Sequence, residues 1–483
     1  MKNIKSALGL SLLVFVFSFN IGYFVSHKYI NAFYVSAEEE TVTLSGKLEI
    51  LHNDDFLNAA STEDSYFVTT TDGIKHKVIP TNTSNFTGGS NVTISGEQQA
   101  DHIRGTLSVN YLFENEVAPN PVYSGSNLKG TPYDMIVFLL KPETGGNPVP
   151  FTQPEAVNLI NNGQMSKLVK EASYDKRFIN AEVFGWIPVP NCSQDGFDDQ
   201  VIVDYINQNS IELESYNHVV FIRNCGNNGG SSSLGQSSAY VDGVPYYFSI
   251  ATITAGTNIL SPSSNYSQFP PTFSWSNFDY ILSHELGHSF GARHSNGLEC
   301  GTAQIGTSCI DVEYGNTFDV MGSGSTLSGA GQSMHYNGIQ KKIFGWLSTT
   351  QAVNITTSGT YTVSQLEATG GVKLFTIQNP QCLTGTKYFV EQRKGIGFDS
   401  NLSYYPALAQ NQNGLLVNII SPQSKPQLID AVPTNTNWEN DTKFAALTGS
   451  NTISDPVNGL TIGPVISTTA SSVTFNVTML ECF

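Results

Sequence analysis

The chain has 483 residues, too long for one compact core, so about two to four domains are expected. Charged residues make up 13%, below the roughly 25% of an average soluble domain, and polarity comes mostly from Asn, Ser, Thr and Gly. A net charge of −17 and a pI near 4.8 argue against nucleic acid or an anionic membrane surface as partner.

The N-terminus has the pattern of an export signal. Lys2 and Lys5 precede an apolar run from Ala7 to Val25 that no charge interrupts until Lys28. A small-residue site, Val35-Ser36-Ala37, precedes Glu38, so residues 1–37 are expected to be a cleaved signal peptide. The alternative is a retained membrane anchor, because roughly 20 apolar residues span a bilayer. Both place the rest of the chain outside the cytoplasm, secreted or cell-surface. Six cysteines, an even number, agree with export and disulfides. Of fifteen possible pairings the sequential one is expected: Cys192–Cys225, Cys300–Cys309 and Cys382–Cys482.

Residues 38–117 read as short strands. Val42, Leu44, Leu48 and Ile50 alternate on one face, and Asp72-Gly73 marks a hairpin, so a small β-barrel or sandwich is expected. Residues 118–132, rich in Pro, Gly and Ser, read as a linker. From 133 to 349 strands alternate with helices. "DMIVFLL", "INAEVFGWIPV" and "HVVFIRN" are strands, and "PEAVNLINNGQMSKLVKEAS" and "DDQVIVDYINQN" are helical. Right-handed crossovers onto one sheet follow. "SSAYVDGVPYYFSIATI" is a strand pair turning at Asp242-Gly243. Residues 350–483 are strands and turns at spacings that suit a sandwich.

Three of the nine histidines fall within eleven positions, in "SHELGHSFGARH". The spacing predicts a helix opening at Ser276, with Asp279 completing a capping box. Residues four apart lie on nearly one helix face, so His284 and His288 can meet at one ion. Glu285 is turned by about 100° and can sit beside that ion without binding it. Gly291 suits the left-handed turn that ends a helix and swings His294 back as a third ligand. Three imidazoles plus water form a catalytic zinc arrangement. Glu285 would serve as general base and then as acid toward the leaving amine.

The long motif His-Glu-x-x-His-x-x-Gly-x-x-His and the downstream "FDVMG" resemble the metzincin zinc peptidases. "YGNTFDVMGSG" is most similar to the gametolysin-like group. Asn316 stands where that group often has aspartate. Ser323 stands where some metzincins have a tyrosine, so an added tyrosine ligand is not implied. The resemblance implies an α+β catalytic domain, a twisted mixed sheet with an active-site helix, between all-β flanking domains. Met321 would underlie the metal, and one Zn2+ would be held by His284, His288 and His294. It also implies an edge strand that binds extended peptide substrates, for which Ser238, Ala239 and Tyr240 are the candidates. His335 reads as structural.

Calcium is kept only as an unsupported second ion. Asp195, Asp198 and Asp199 match no calcium loop and read as a solvated face. Residues 38–117 contain no cysteine, so a cysteine-based latency switch from this region is excluded. The expected function is a secreted zinc endopeptidase acting on protein or peptide substrates. The alternatives are an extracellular binding or adhesion protein with an inactive metal site, or a zinc amidase.

Overall fold

The computed structural model describes residues 41–54, 64–82, 86, 88–99, 101–109, 130–192, 196–260, 276–322, 335–382, 384–404, 409–421, 425–434 and 445–482. The expected signal segment, most of the expected linker, Ser323 and Asp195 lie outside them. So does the Asp198 side chain. The described part is strand-rich, with 44% strand and 17% helix, and is mixed in the α+β sense.

Five strands close a barrel: β1 (Thr41–Asp54), β2 (Asp64–Thr69), β3 (Lys75–Pro80), β4 (Asn91–Gln98) and β5 (Ile103–Val109). β1 pairs with both β2 and β4, β2 with β3, and β4 with β5, while β3 and β5 close the ring in parallel. The alternating residues of β1 turn inward as the pattern required. Leu48 and Ile50 are buried with Val68, Val92, Ile94 and Leu107, and Val42 and Leu44 pack against them.

β1 is long enough to leave the barrel. Its last residues join a second set of strands: β6 (Thr131–Pro142), β7 (Arg177–Val189), β8 (His218–Arg223), β9 (Gly229–Ser233), β10 (Ser237–Val241) and β11 (Val244–Thr254). The order runs β1-β9-β11-β8-β6-β7, with β10 hairpinned onto β11. β6, β7, β8 and β11 pair in parallel, and β9 runs antiparallel to both β11 and β1. The parallel strands are connected by α1 (Gln153–Asn162), α2 (Gln164–Ala172) and α3 (Gln200–Gln208). α1 and α2 divide at Gly163, where the sequence pattern read as one helix. The first turn of α3 is capped by Asp199, whose carboxylate accepts from the Val201 N–H at 3.0 Å. Asp199 is buried and so does not belong to the solvated face expected for it.

Against this sheet packs α4 (Asn277–Ser289), whose residues from Phe278 to Ser289 are all buried. It lies in a core with Val137, Leu168, Ala251, Met321, Tyr336 and Trp346. Short strands β12 (Asn296–Glu299) and β13 (Ile310–Val312) follow, then α5 (Gly338–Ile343).

The remaining strands are β14 (Ala352–Ile355), β15 (Gly359–Ser364), β16 (Leu374–Ile377), β17 (Lys387–Glu391), β18 (Leu416–Ile420), β19 (Gln427–Ile429), β20 (Ile453–Asp455), β21 (Leu460–Thr468) and β22 (Ser472–Met479). Together with β12 and β13 they form a seven-stranded and a four-stranded sheet around a shared core that includes Val363, Ile377, Val417, Ile462 and Phe475. The larger sheet crosses the boundary expected at residues 349 and 350. β12 pairs in parallel with β19, Asn296 opposite Gln427. The cysteines pair sequentially, as Cys192–Cys225, Cys300–Cys309 and Cys382–Cys482. Three disulfides fit an oxidising compartment. Among the described residues no helix is long and apolar enough to cross a membrane.

Candidate metal centre

The histidine helix starts where its capping residues put it. The Ser276 hydroxyl accepts from the Asp279 N–H at 3.1 Å, and the Asp279 carboxylate accepts from the Ser276 N–H at 3.2 Å. α4 ends at Phe290, and Gly291 follows with φ of +101°, a conformation that suits glycine. The chain turns back there and brings His294 to the other two rings. Ring centroids lie 4.9 Å apart for His284 and His288, 4.9 Å for His288 and His294, and 5.3 Å for His284 and His294. All three side chains and Glu285 are fully buried.

Each ring is oriented through its Nδ1. His284 Nδ1 lies 2.8 Å from the Val320 carbonyl, His288 Nδ1 lies 2.7 Å from the Ala292 carbonyl, and His294 Nδ1 meets Glu313. A carbonyl can only accept, so Nδ1 of His284 and His288 must carry the proton. In the neutral ring Nε2 then carries the lone pair. This is how metal-binding imidazoles are held in their tautomer.

Met321 lies under the helix. A Cβ added at Gly287 would come within 2.2 Å of the Met321 sulfur, so helix and turn meet at a contact only glycine permits. The turn itself is pinned. The Met321 carbonyl accepts from the Ser295 N–H at 3.0 Å, and its own N–H donates to Asp319 at 3.0 Å. Burial pushes the Asp319 carboxyl up to about 7. From the C-terminal region, Arg393 donates to the Phe318 carbonyl at 2.6 Å and is surrounded by the carboxylates of Asp399, Glu391 and Glu367.

A further element enters the centre, one that no sequence pattern placed there. The end of β1 brings His52 and Asp54 to the histidines, and His52, Asp54, His288 and His294 form a buried group whose donor atoms could hold a metal ion. Asp54 Oδ1 is 2.7 Å from His294 Nε2, and Oδ2 is 3.2 Å from His288 Nε2 and 3.4 Å from His284 Nε2. The Tyr314 hydroxyl donates to Asp54. His52 Nε2 is 2.9 Å from His294 Nε2, and its Nδ1 is 2.6 Å from Asp64. Arg293, next in sequence to the third ligand, pairs with Asp64 at 2.6 Å.

The charges are strongly interdependent. Burial disfavours an ionised Asp54, but His294, His284 and His288 outweigh it and hold the carboxyl well below the usual range. Burial first, and Asp54 next, push Glu285 well above it. Burial and Asp54 thus favour the protonated form of Glu285 while Asp54 faces it, and a cation held by the histidines would oppose this. Burial also works against a charge on His52, but Asp54 and Asp64 more than reverse this and raise it to about 9.

Ser238, Ala239 and Tyr240 lie in β10, opposite Tyr247, Tyr246 and Pro245 of β11. The strand directly beside the histidine helix is β9. A Cβ at Gly230 would fall 2.1 Å from the Glu285 carboxylate. β9, not β10, is therefore the strand that packs on Glu285. Alternation marked β10 as a strand but not β9, and only the folded sheet shows that β9 reaches Glu285. His335 is fully buried, in keeping with a structural role. Asp54, His52 and Glu313 carry no local motif. Tyr314 belongs to the "YGN" stretch, where a signal was present. No family model matches the chain, and no curated protein matches it.

Proposed function

We propose that this chain is an exported zinc-dependent endopeptidase of the metzincin type. The observation that carries the reading is the clustering of three buried imidazoles, their ring centroids 4.9 to 5.3 Å apart and their Nδ1 atoms held from behind. The donor set suits zinc. Tetrahedral zinc with bonds of about 2.0–2.1 Å keeps neighbouring ligand atoms about 3.3 Å apart. The distances of 3.2 and 3.4 Å from Asp54 Oδ2 to His288 and His284 have that size. Nε2 of His288 and Oδ2 of Asp54 are buried without a hydrogen bond, as ligand atoms of an ion would be.

His284, His288 and His294 would hold the ion, which when bound supplies a Lewis acid for water and for the scissile carbonyl. Glu285, on the same helix turn as His284, would take the proton from water and pass it to the leaving amine. Asp54 is the side chain that bears on its carboxyl, so removing Asp54 would free Glu285 for this role. Met321 and Asp319 would keep the floor of the site rigid. β9, antiparallel to its neighbours, offers main-chain groups to an extended peptide.

The test uses Asp54→Ala, which removes the carboxylate facing the histidines, with and without Glu285→Gln. Both proteins should carry one zinc by elemental analysis. Hydrolysis of denatured casein should fall by about 10²–10⁴-fold when Glu285 is changed. Equal hydrolysis by the two proteins would sink the reading.

A further inference from the structure

A site meant for polypeptide substrates should be open, yet His284, Glu285, His288 and His294 are all 0% exposed. The end of β1 lies directly over them. Its residues Leu51, His52, Asn53 and Asp54 pair antiparallel with Ser233, Ser232, Ser231 and Gly230 of β9. An extended peptide adding to a sheet edge is held by the same main-chain hydrogen bonds. Alternate residues of a strand share a face, so His52 and Asp54 both project toward α4. Asp54 then meets all three histidine Nε2 atoms.

We propose that the N-terminal barrel is a built-in latch: β1 occupies the peptide position along β9, and Asp54 supplies the fourth ligand to the metal. The inference rests on the peptidase reading and extends it to regulation. It also answers the lack of a cysteine in residues 38–117. An ionised carboxylate is a hard oxygen donor that binds zinc at about 2.0–2.2 Å, and it fills the position that water needs for catalysis.

The barrel has a second hold on the same helix end. Arg293 pairs with Asp64 of β2 and donates to the Phe86 carbonyl at 3.1 Å. Asp64 also accepts from His52. Tyr314, from the segment leading to the Met321 turn, steadies Asp54 through its hydroxyl. The latch is therefore made of contacts between the barrel and the catalytic region, with Asp54 at its tip. Its geometry needs no covalent step: moving β1 off β9 would expose Glu285 and vacate one ligand position together.

The test loads the full chain and its Asp54→Ala and Asp54→Asn variants with Co2+ in place of zinc and records visible absorption, with acetohydroxamate as a probe for an open ligand position. In the parent, the cobalt bands should not respond to the probe. In Asp54→Ala the bands should shift, and acetohydroxamate should shift them again. Asp54→Asn keeps the side-chain shape, so if the alanine variant fails to fold, the asparagine variant carries the same comparison. Casein hydrolysis should rise on the order of 100-fold when Asp54 is removed.

A parent whose bands respond to acetohydroxamate as strongly as the variants' would overturn the latch. So would equal, Glu285-dependent hydrolysis by parent and variant, which leaves the peptidase reading standing. Shifted cobalt bands and a newly accessible ion without any hydrolysis would uphold Asp54 as a ligand and refute the peptidase reading instead. A parent that takes up no cobalt would overturn both.

Discussion

At the scale of single residues, the centre depends on a few side chains that can be only what they are. Gly287 is the clearest. It sits between His284 and His288, and its missing side chain is the space that the Met321 sulfur fills, with Tyr336 next to it. Gly287→Ala should overpack this contact and cost about 1–3 kcal/mol, read as a lowered midpoint of chemical unfolding. Met321→Ala alone should leave a cavity and cost about 2–5 kcal/mol. Together they should cost less than the sum, because each change relieves the other. A strictly additive double variant would show that the two do not touch as described. Residues of this kind were legible in the sequence where the motif is local. His284, His288, His294, Glu285 and Met321 all fall between residues 284 and 321. Asp54 was not legible, because it is an ordinary carboxylate 240 residues before His294, in "LHNDDF" (294 − 54 = 240). Nothing in its neighbours hints at imidazoles.

At the scale of elements, the period of apolar residues identified strands and helices but not their partners. β1 was legible as a strand through Leu48 and Ile50. That its last turn-free residues leave the barrel to pair with β9 depends on register, which sequence alone does not fix. β9, which packs against Glu285, was not legible as a strand at all. "GGSSS" has no apolar alternation, and small residues are what a strand needs where Glu285 packs on it. α5 shows a different element-level effect. It carries Lys341 into the interior, where the ammonium lies 3.3 Å from the Tyr174 hydroxyl and near buried Glu367 and Arg393. Burial lowers it to about 7, with Glu367 opposing that shift and Arg393 adding to it. In the unfolded chain the group keeps its ordinary value near 10.5. Between these values the unfolded state binds the extra proton, so Lys341 contributes stability that grows as pH rises from about 7 toward 10.5 and is flat below 7. The difference in unfolding free energy between the parent and Lys341→Met should therefore move in the parent's favour across that window. Denaturant titrations at pH 6, 7, 8 and 9 check it, and a difference that stays constant would mean that Lys341 is not buried as a titrating group.

At the scale of the whole molecule, the region that carries the histidine helix and the C-terminal region are tied too closely to behave as separate bodies. Asn296, two residues after the third histidine, donates its N–H to the Pro426 carbonyl at 2.7 Å. Lys425 pairs with Glu313 at 2.6 Å, and Glu313 holds His294. Asn316 reaches Asn418 at 3.1 Å, and Arg393 holds the Phe318 carbonyl. The strand-and-turn pattern after residue 350 suggested a boundary, but hydrogen bonds across the sheet leave no trace in such a pattern, and neither did the short helix at Asn401–Tyr404. Coupling of this kind has a measurable consequence through Cys382–Cys482, which closes a loop with a sequence separation of 100 residues. Replacing both cysteines by serine frees the unfolded chain and should cost about 2–5 kcal/mol. If the C-terminal sheets were an independent domain, the loss would appear there alone, and α4 would keep its protection. The shared β12–β19 pairing instead predicts that amides of α4 and β12 lose hydrogen-exchange protection along with those of β18 and β19, by a similar free energy. Exchange followed by mass spectrometry of peptic peptides decides it. Unchanged protection in residues 277–299 of the serine variant would separate the two regions and remove the C-terminal sheets from any role in holding the metal centre.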